Sequence, residues 1–458
     1  MSARTARAVE RASGKPSSRP ISAGVTSRTW PVSVRDAAAA RKALTLSRLC
    51  SFISAQSCRT KALPDQCSEA ERVVCGQMEH EPSPLSGISV LDLSRVLAGP
   101  LATMTLGDLG ADIVKVERPG HGDDTRHWGP PFAGNDAAYY LSLNRNKRSV
   151  TIDLKSPEGV EGIRELSRSA DVLIENFRPG LMNDLGLSLD ELRGRNPRLV
   201  TCSLTAFGDE APEVASKPGY DIIVQALSGL MSVTGQTDGE PTKAGVALLD
   251  VVTGLYAAVG ILAALHERER TGRGRHVSVS LFEASVAAMV NQAANYLVGD
   301  VVPRAMGSRH PNIVPYQVFH GADRPFVLAC GNDRLFRRAC GVVGHPEWAQ
   351  DERFATNDAR VGNRDALESL LGDAFATRPA GAWLSALEDA SVPCAPIRTM
   401  DEVFASPEGE RLVEEIRDPA RGGSLRLVRS PLRFDGEPPI TRLAPPELGE
   451  HTDEVLGT

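Results

Sequence analysis

Along residues 86–300, short near-continuous apolar runs alternate with longer amphipathic stretches. Residues 88–93 read as a strand, 94–100 as a loop, 101–109 as a short helix stopped at Gly110, and 111–117 as a second strand. The unit then repeats. Residues 149–154 form a strand, Ser156 is placed to cap a helix with Pro157 at its first position, and 171–177 form the next strand. A third unit has Ser188 followed three residues later by Glu191, a capping box, and then a strand at 199–205. Strands alternating with helices of this length predict an α/β fold, with a doubly wound parallel, Rossmann-like sheet in a large domain over 86–304. Two long apolar helices, 251–271 and 283–299, flank a strand at 276–281. Beyond Pro303 the strands shorten and the helices become charged, which predicts a smaller α+β domain over 305–400. The Pro- and Gly-rich residues 401–458 are expected to return to the large domain. Residues 1–85 lack this periodicity and read as a disordered N-terminal extension.

Composition sharpens the division. Of 458 residues, 41% are hydrophobic and 24% charged, which is globular usage. The net charge of −7 hides two unlike parts: residues 1–77 carry thirteen Lys and Arg against five acids, and the remainder 38 against 53. The Arg- and Ser-rich leader fits a mitochondrial transit peptide, a translation start placed ahead of Met78, or an unstructured tail. Its cysteines, Cys50, Cys58, Cys67 and Cys75, lack the tight pairing of a zinc site. The absence of a secretory apolar run and of Cys-x-x-Cys predicts a reduced, cytoplasmic protein, or a matrix one if the leader is a transit peptide. The most apolar stretch, 251–265, is too short to span a bilayer and reads as a buried helix, so no membrane partner is expected.

Several chemistries find no motif. Residues 98–100 hold one glycine where a dinucleotide loop needs three, and there is no Walker loop or Gly-x-Ser-x-Gly elbow. The nine histidines show no metal-ligand spacing, so no metal is expected. The basic run at 266–275 suits a helix C-terminus, and an acidic body repels nucleic acid. Residues 115–155 stand out, with seven cations against five acids. Among them Arg118 and Lys155 fall at or near strand ends, where open α/β sheets bind ligands. A phosphate-bearing molecule and scattered surface charge both fit. Asp250 opens the apolar helix, where backbone N–H groups and the helix dipole would favour its ionised form. From spacing alone it reads first as a plain N-cap and second as a nucleophile, with Asp221 as a rival candidate.

A resemblance narrows the choice. VLDLSRVLAGP (residues 90–100), GDLGADIVKVERP (107–119), NRNKRS (144–149), DVLIENFRPG (171–180), TGRG (271–274) and LGEHTDEVL (448–456) resemble the ordered blocks of family III CoA-transferases. The resemblance covers about residues 86–456. GHGDDTRHWGPPF (120–132) and IVPYQ (313–317) are most similar to the branch that exchanges CoA between succinate and glutarate. It implies an interlocked homodimer that takes acyl-CoA and a free carboxylic acid as substrates, with no permanently bound cofactor. The implied catalytic residue is Asp250, in VALLD (246–250). The implied CoA contacts are Leu97, Ala98, Arg118, Ile152, Lys155, Asn176, Phe177 and Tyr220. Asp184 and Pro218 stand where the family carries an arginine and a lysine, and the family's glycine-rich flap is replaced by GSRHP (307–311). Racemases of the same fold carry histidine where this chain has Tyr220, a poor base at neutral pH, so transfer is favoured over isomerisation, and a non-catalytic CoA-binding relative is the other alternative. In the implied reaction Asp250 forms an anhydride and then a CoA thioester, with helix-start amides holding the oxyanions. For the second carboxylate of the acceptor, Arg126, Arg309 and His310 are the candidates.

Overall fold

The computed structural model describes residues 83–208, 217 and 219–457, so the readings of the leader lie outside the described residues. The first half builds one sheet. Its elements are β1 (Ser89–Asp92), α1 (Ala98–Asp108), β2 (Asp112–Glu117), β3 (Lys147–Thr151), α2 (Pro157–Ser169), β4 (Val172–Glu175), α3 (Leu189–Arg195), β5 (Val200–Thr205), α4 (Asp221–Leu227), α5 (Leu248–Thr271) and β6 (His276–Ser280). The strand order is β3-β2-β1-β4-β5-β6, every neighbouring pair parallel. This is the doubly wound order, which reverses between β1 and β4.

The inner strands bury side chains on both faces, hence the apolar runs, whereas the edge strand β6 leaves His276 and Ser278 exposed. Val90, Val172, Ile174, Val200 and Cys202 pack against α1 and α5, while Leu91, Leu173 and Val150 pack on the other face with Ile163 of α2 and Leu192 of α3. At roughly 25 cal/mol per Å² of apolar surface, these two clusters supply the main driving force of this half.

Local signals held unevenly. Ser156 caps α2 through the Gly159 N–H, with Pro157 in the first turn. Ser188 precedes α3 but its side chain makes no cap bond, so the expected capping box is not formed. The helix expected at 283–299 divides into α6 (Leu281–Ala288) and α7 (Val290–Gly299), Val290 sitting at positive φ. Helix α5 is long and apolar enough by composition to cross a membrane, but its Ala257, Ile261 and Ala264 belong to the core cluster.

Residues 314–392 enclose a separate apolar cluster around Phe319, Phe326, Phe375 and Trp383. It is built on an antiparallel sheet of β7 (Tyr316–His320), β8 (Pro325–Ala329) and β9 (Cys394–Pro396). The C-terminal stretch holds an unforeseen hairpin, β10 (Val413–Asp418) and β11 (Gly423–Val428). It then runs along the first half: Leu443 O accepts from Asn146 N–H, and His451 N–H donates to Ser149 O.

Candidate active site

Because β1 and β4 are neighbours whose following chains depart to opposite sides, their C-terminal ends open into a cleft. The cleft, of about 210 Å³, is walled by Arg95, Arg118, Ile152, Lys155 and Phe177, with Asp123 at its floor. Five of the seven cations between 115 and 155 are consumed internally: Lys115 by Asp123, Arg126 by Glu117 and Asp136, Arg145 by Asp108, Lys147 by Asp92, and Arg148 by Asp112 and Glu454. Arg118 and Lys155 are exposed on the cleft wall and pair with no carboxylate among the described residues. The small local charge excess therefore resolves into two cations that can meet an anion.

The β1–α1 turn forms one lip of this cleft. Arg95 N–H donates to Asn176 Oδ1 at 2.8 Å and Arg95 O accepts from Asn176 Nδ2 at 2.7 Å, so Asn176 shapes the turn. Val96 lies at φ 70°, a left-handed conformation that costs a β-branched residue about 1–3 kcal/mol. Gly99 is required here, since a Cβ would meet Ser94 Cβ at 2.2 Å. Burial opposes ionisation of Asp123, but Lys115 and the Thr125 N–H overcome it and hold the carboxyl at about 2. Leu97 and Ala98 are buried, so only their backbone can face a ligand.

Asp250 occupies a second corner. Helix α5 begins three residues before the expected start, with Ala247 at the N-cap, so Asp250 lies within the first turn and does not cap it. The cap comes from another segment. Buried Asp221, at the start of α4, accepts the Leu249 N–H at 2.8 Å and the Asp250 N–H at 3.2 Å through Oδ2. Its Oδ1 accepts from Gln225 Nε2, and Gln225 Oε1 accepts the Ala244 N–H. The expectation of a favoured, ionised Asp250 is thus overturned. Burial, and then the Asp221 charge, push its carboxyl up to about 7. The helix-start amides of Leu249 and Asp250 are likewise taken, and cannot serve as an oxyanion hole. The two corners are joined through Gly254, one turn beyond Asp250, where a Cβ would stand 2.5 Å from Ala98 O.

Tyr139 is the residue that sequence reasoning missed. It is half-buried, edge-on to Trp128 at 5.5 Å between ring centroids. Burial, and then the charges of Asp250 and Asp221, push its phenol up to about 12, so it remains a hydrogen-bond donor beside them. No local motif marks it.

Of the three candidates for the acceptor carboxylate, Arg126 is corrected. Arg126 is buried, spanning Glu117 and Asp136 and donating to Tyr140 Oη and Pro446 O, so it ties the fold and is closed to substrate. Arg309 pairs with Glu368 of the helix at Arg364–Phe375. His310 Nδ1 accepts from Asn312 N–H, and its carbonyl accepts from Arg364. Tyr220 is exposed at the N-cap of α4, adjoining the Asp221 corner. Among the described residues no group of three or more His, Cys, Asp or Glu could hold a metal ion.

A parallel sheet with a cationic cleft at its switch point, and near it a carboxyl raised to about 7 that makes no ion pair among the described residues, is suited to an anionic ligand. The model of CoA-transferase family III matches residues 85–452, and the chain belongs to that family: it is an enzyme that transfers CoA. It is 44% identical over 389 residues to succinate–glutarate CoA-transferase of Agrobacterium fabrum, covering 83% of this chain and 96% of that one. It is 41% identical over 375 residues to the human succinyl-CoA:glutarate CoA-transferase, covering 81% and 85%. Among solved structures, a CAIB/BAIF family protein from Brucella suis superimposes with TM-score 0.72 at 42% identity, covering 82% of this chain and 99% of that one.

Proposed function

We propose that this enzyme moves CoA from succinyl-CoA to a short dicarboxylate such as glutarate, with Asp250 as covalent carrier. The observation that carries the reading is Asp250 itself, a carboxyl with no cationic partner among the described residues, pushed up to about 7 by burial and by Asp221. A poorly solvated carboxylate of raised basicity is a better nucleophile than an ordinary surface aspartate.

Ionised Asp250 attacks the donor thioester carbonyl, forming an acyl-aspartyl anhydride as the C–S bond breaks and CoA thiolate leaves. The thiolate attacks the aspartyl carbonyl, releasing succinate and leaving a thioester on Asp250. The acceptor carboxylate then displaces the thiolate to give a second anhydride. Attack of thiolate on the acceptor carbonyl delivers the new acyl-CoA and restores Asp250. Tyr139 is the donor available to the developing oxyanions, in place of the occupied helix-start amides. Arg118 and Lys155 take CoA phosphates, and Phe177 offers an apolar wall.

Exposed apolar side chains on α5 and α7, among them Tyr256, Val259, Leu297 and Val298, support a homodimer. The test is incubation of succinyl-CoA with glutarate. Glutaryl-CoA should form, and hydroxylamine should convert a mass-tagged Asp250 to its hydroxamate during turnover. Wild-type enzyme that yields glutaryl-CoA without ever labelling Asp250 would reject the carrier role.

A further inference from the structure

The turn at residues 94–98 touches both halves of the site. Ser94 and Arg95 line the cleft, and Ala98 O abuts Gly254 on the helix that carries Asp250. Its centre, Val96, holds a backbone conformation that a β-branched residue avoids, because Cβ substituents crowd the neighbouring carbonyl. An unaided chain would relax. Ties from outside prevent it: Asn176 brackets the Arg95 N–H and C=O, and the Asp123 carboxylate accepts the Val96 N–H at 3.3 Å. Lys115, fully buried, donates to Ser94 O at 3.0 Å and to Asp123 at 2.9 Å, fixing the clamp itself. A sparsely populated conformation held by so many partners, at the seam of two functional corners, points to use in the reaction.

We propose that Asn176 and Asp123 are positioning residues for CoA transfer, holding the Val96 turn wound so that the cleft and the Asp250 helix grip one thioester between them. The inference rests on the transferase reading above, and assigns Asn176 to the turn instead of to the ligand.

The test is a rescue. Asn176→Ala and Asp123→Asn are made alone and each combined with Val96→Gly, then compared by exchange kinetics, CoA affinity from calorimetry, and thermal melting. Each clamp variant should lose about tenfold in kcat/KM for acyl-CoA, and glycine, which occupies positive φ freely, should return at least about threefold of that loss. A merely structural weakening would not be repaired by adding a glycine. Failure of Val96→Gly to restore either variant overturns the proposal, as do folded clamp variants with full activity. If Asp123→Asn unfolds because Lys115 is left unpaired, Asn176→Ala, which removes no charge, decides alone. Wild-type enzyme without CoA exchange would reject the transferase reading. The affinity series would then decide the clamp, with the same rescue pattern supporting it and no rescue overturning it.

Discussion

The cleft and the Asp250 corner handle charge in opposite ways. In the cleft, Arg118 and Lys155 are exposed cations that pair with no carboxylate among the described residues, on a floor where Lys115 and Asp123 are paired. At the corner, two carboxylates approach with no ion pair to either among the described residues, and Asp250 keeps its proton to about pH 7. Cations bind without reacting; an unpaired acid reacts without helping to bind. Under the proposed roles, separating them would let an acidic body hold an anionic substrate while Asp250 stays free of a salt bridge that would quench it.

Removing the nucleophile should break the contrast most completely. Asp250→Ala is expected to lower exchange by at least about 10³-fold, roughly 4 kcal/mol, while calorimetry finds CoA affinity nearly unchanged. At the opposite corner, Arg118→Ala with Lys155→Ala should raise the KM for acyl-CoA about 30-fold, roughly 2 kcal/mol, and flatten its salt dependence with kcat little altered. A fall in kcat alone would contradict the division of labour.

Stability gives a third probe. Asp250 titrates near 7 in the native state and near 3.8 when unfolded, so the native protein holds the extra proton. The stability this confers is present below about pH 4 and lost as pH rises through about 7. Asp250→Asn escapes that loss, so melting curves should show it gaining about 1–3 kcal/mol on the parent between pH 4 and 8, less than full linkage because the site is partly solvated. A constant difference across that range would disprove a raised carboxyl. The smallest effect concerns Asp221. Asp221→Asn removes one charge from the corner, and the rising limb of kcat against pH should move down from about 7 by roughly one unit. An unmoved limb would show that burial alone sets it.

Much of the sheet was legible because a parallel strand buries both faces and therefore prints an unbroken apolar run. Helix starts were less so. Pro100 suggested that α1 begins after it, whereas the helix starts at Ala98 and accommodates proline in its first turn. Asp250 suggested a cap because aspartate favours that position, yet the cap is Asp221, 29 residues earlier. A cap supplied by another segment leaves no local pattern. Counting charges located the cationic stretch but could not tell Arg118 from Arg126, since pairing with Glu117 and Asp136 is a property of the fold. The family blocks led to Asp250; neither spacing nor composition could have led to Tyr139.

The bonds from Arg126 to Pro446 O cross 320 positions of the chain, and Arg421 reaches both Asp136 and Pro445 O on the same side. The floor beneath the cleft is therefore finished by residues about 300 positions further along the chain. During synthesis Arg118, Lys155 and Asp250 all precede Arg421 and Pro446, so the walls of the cleft are made before the residues that finish its floor.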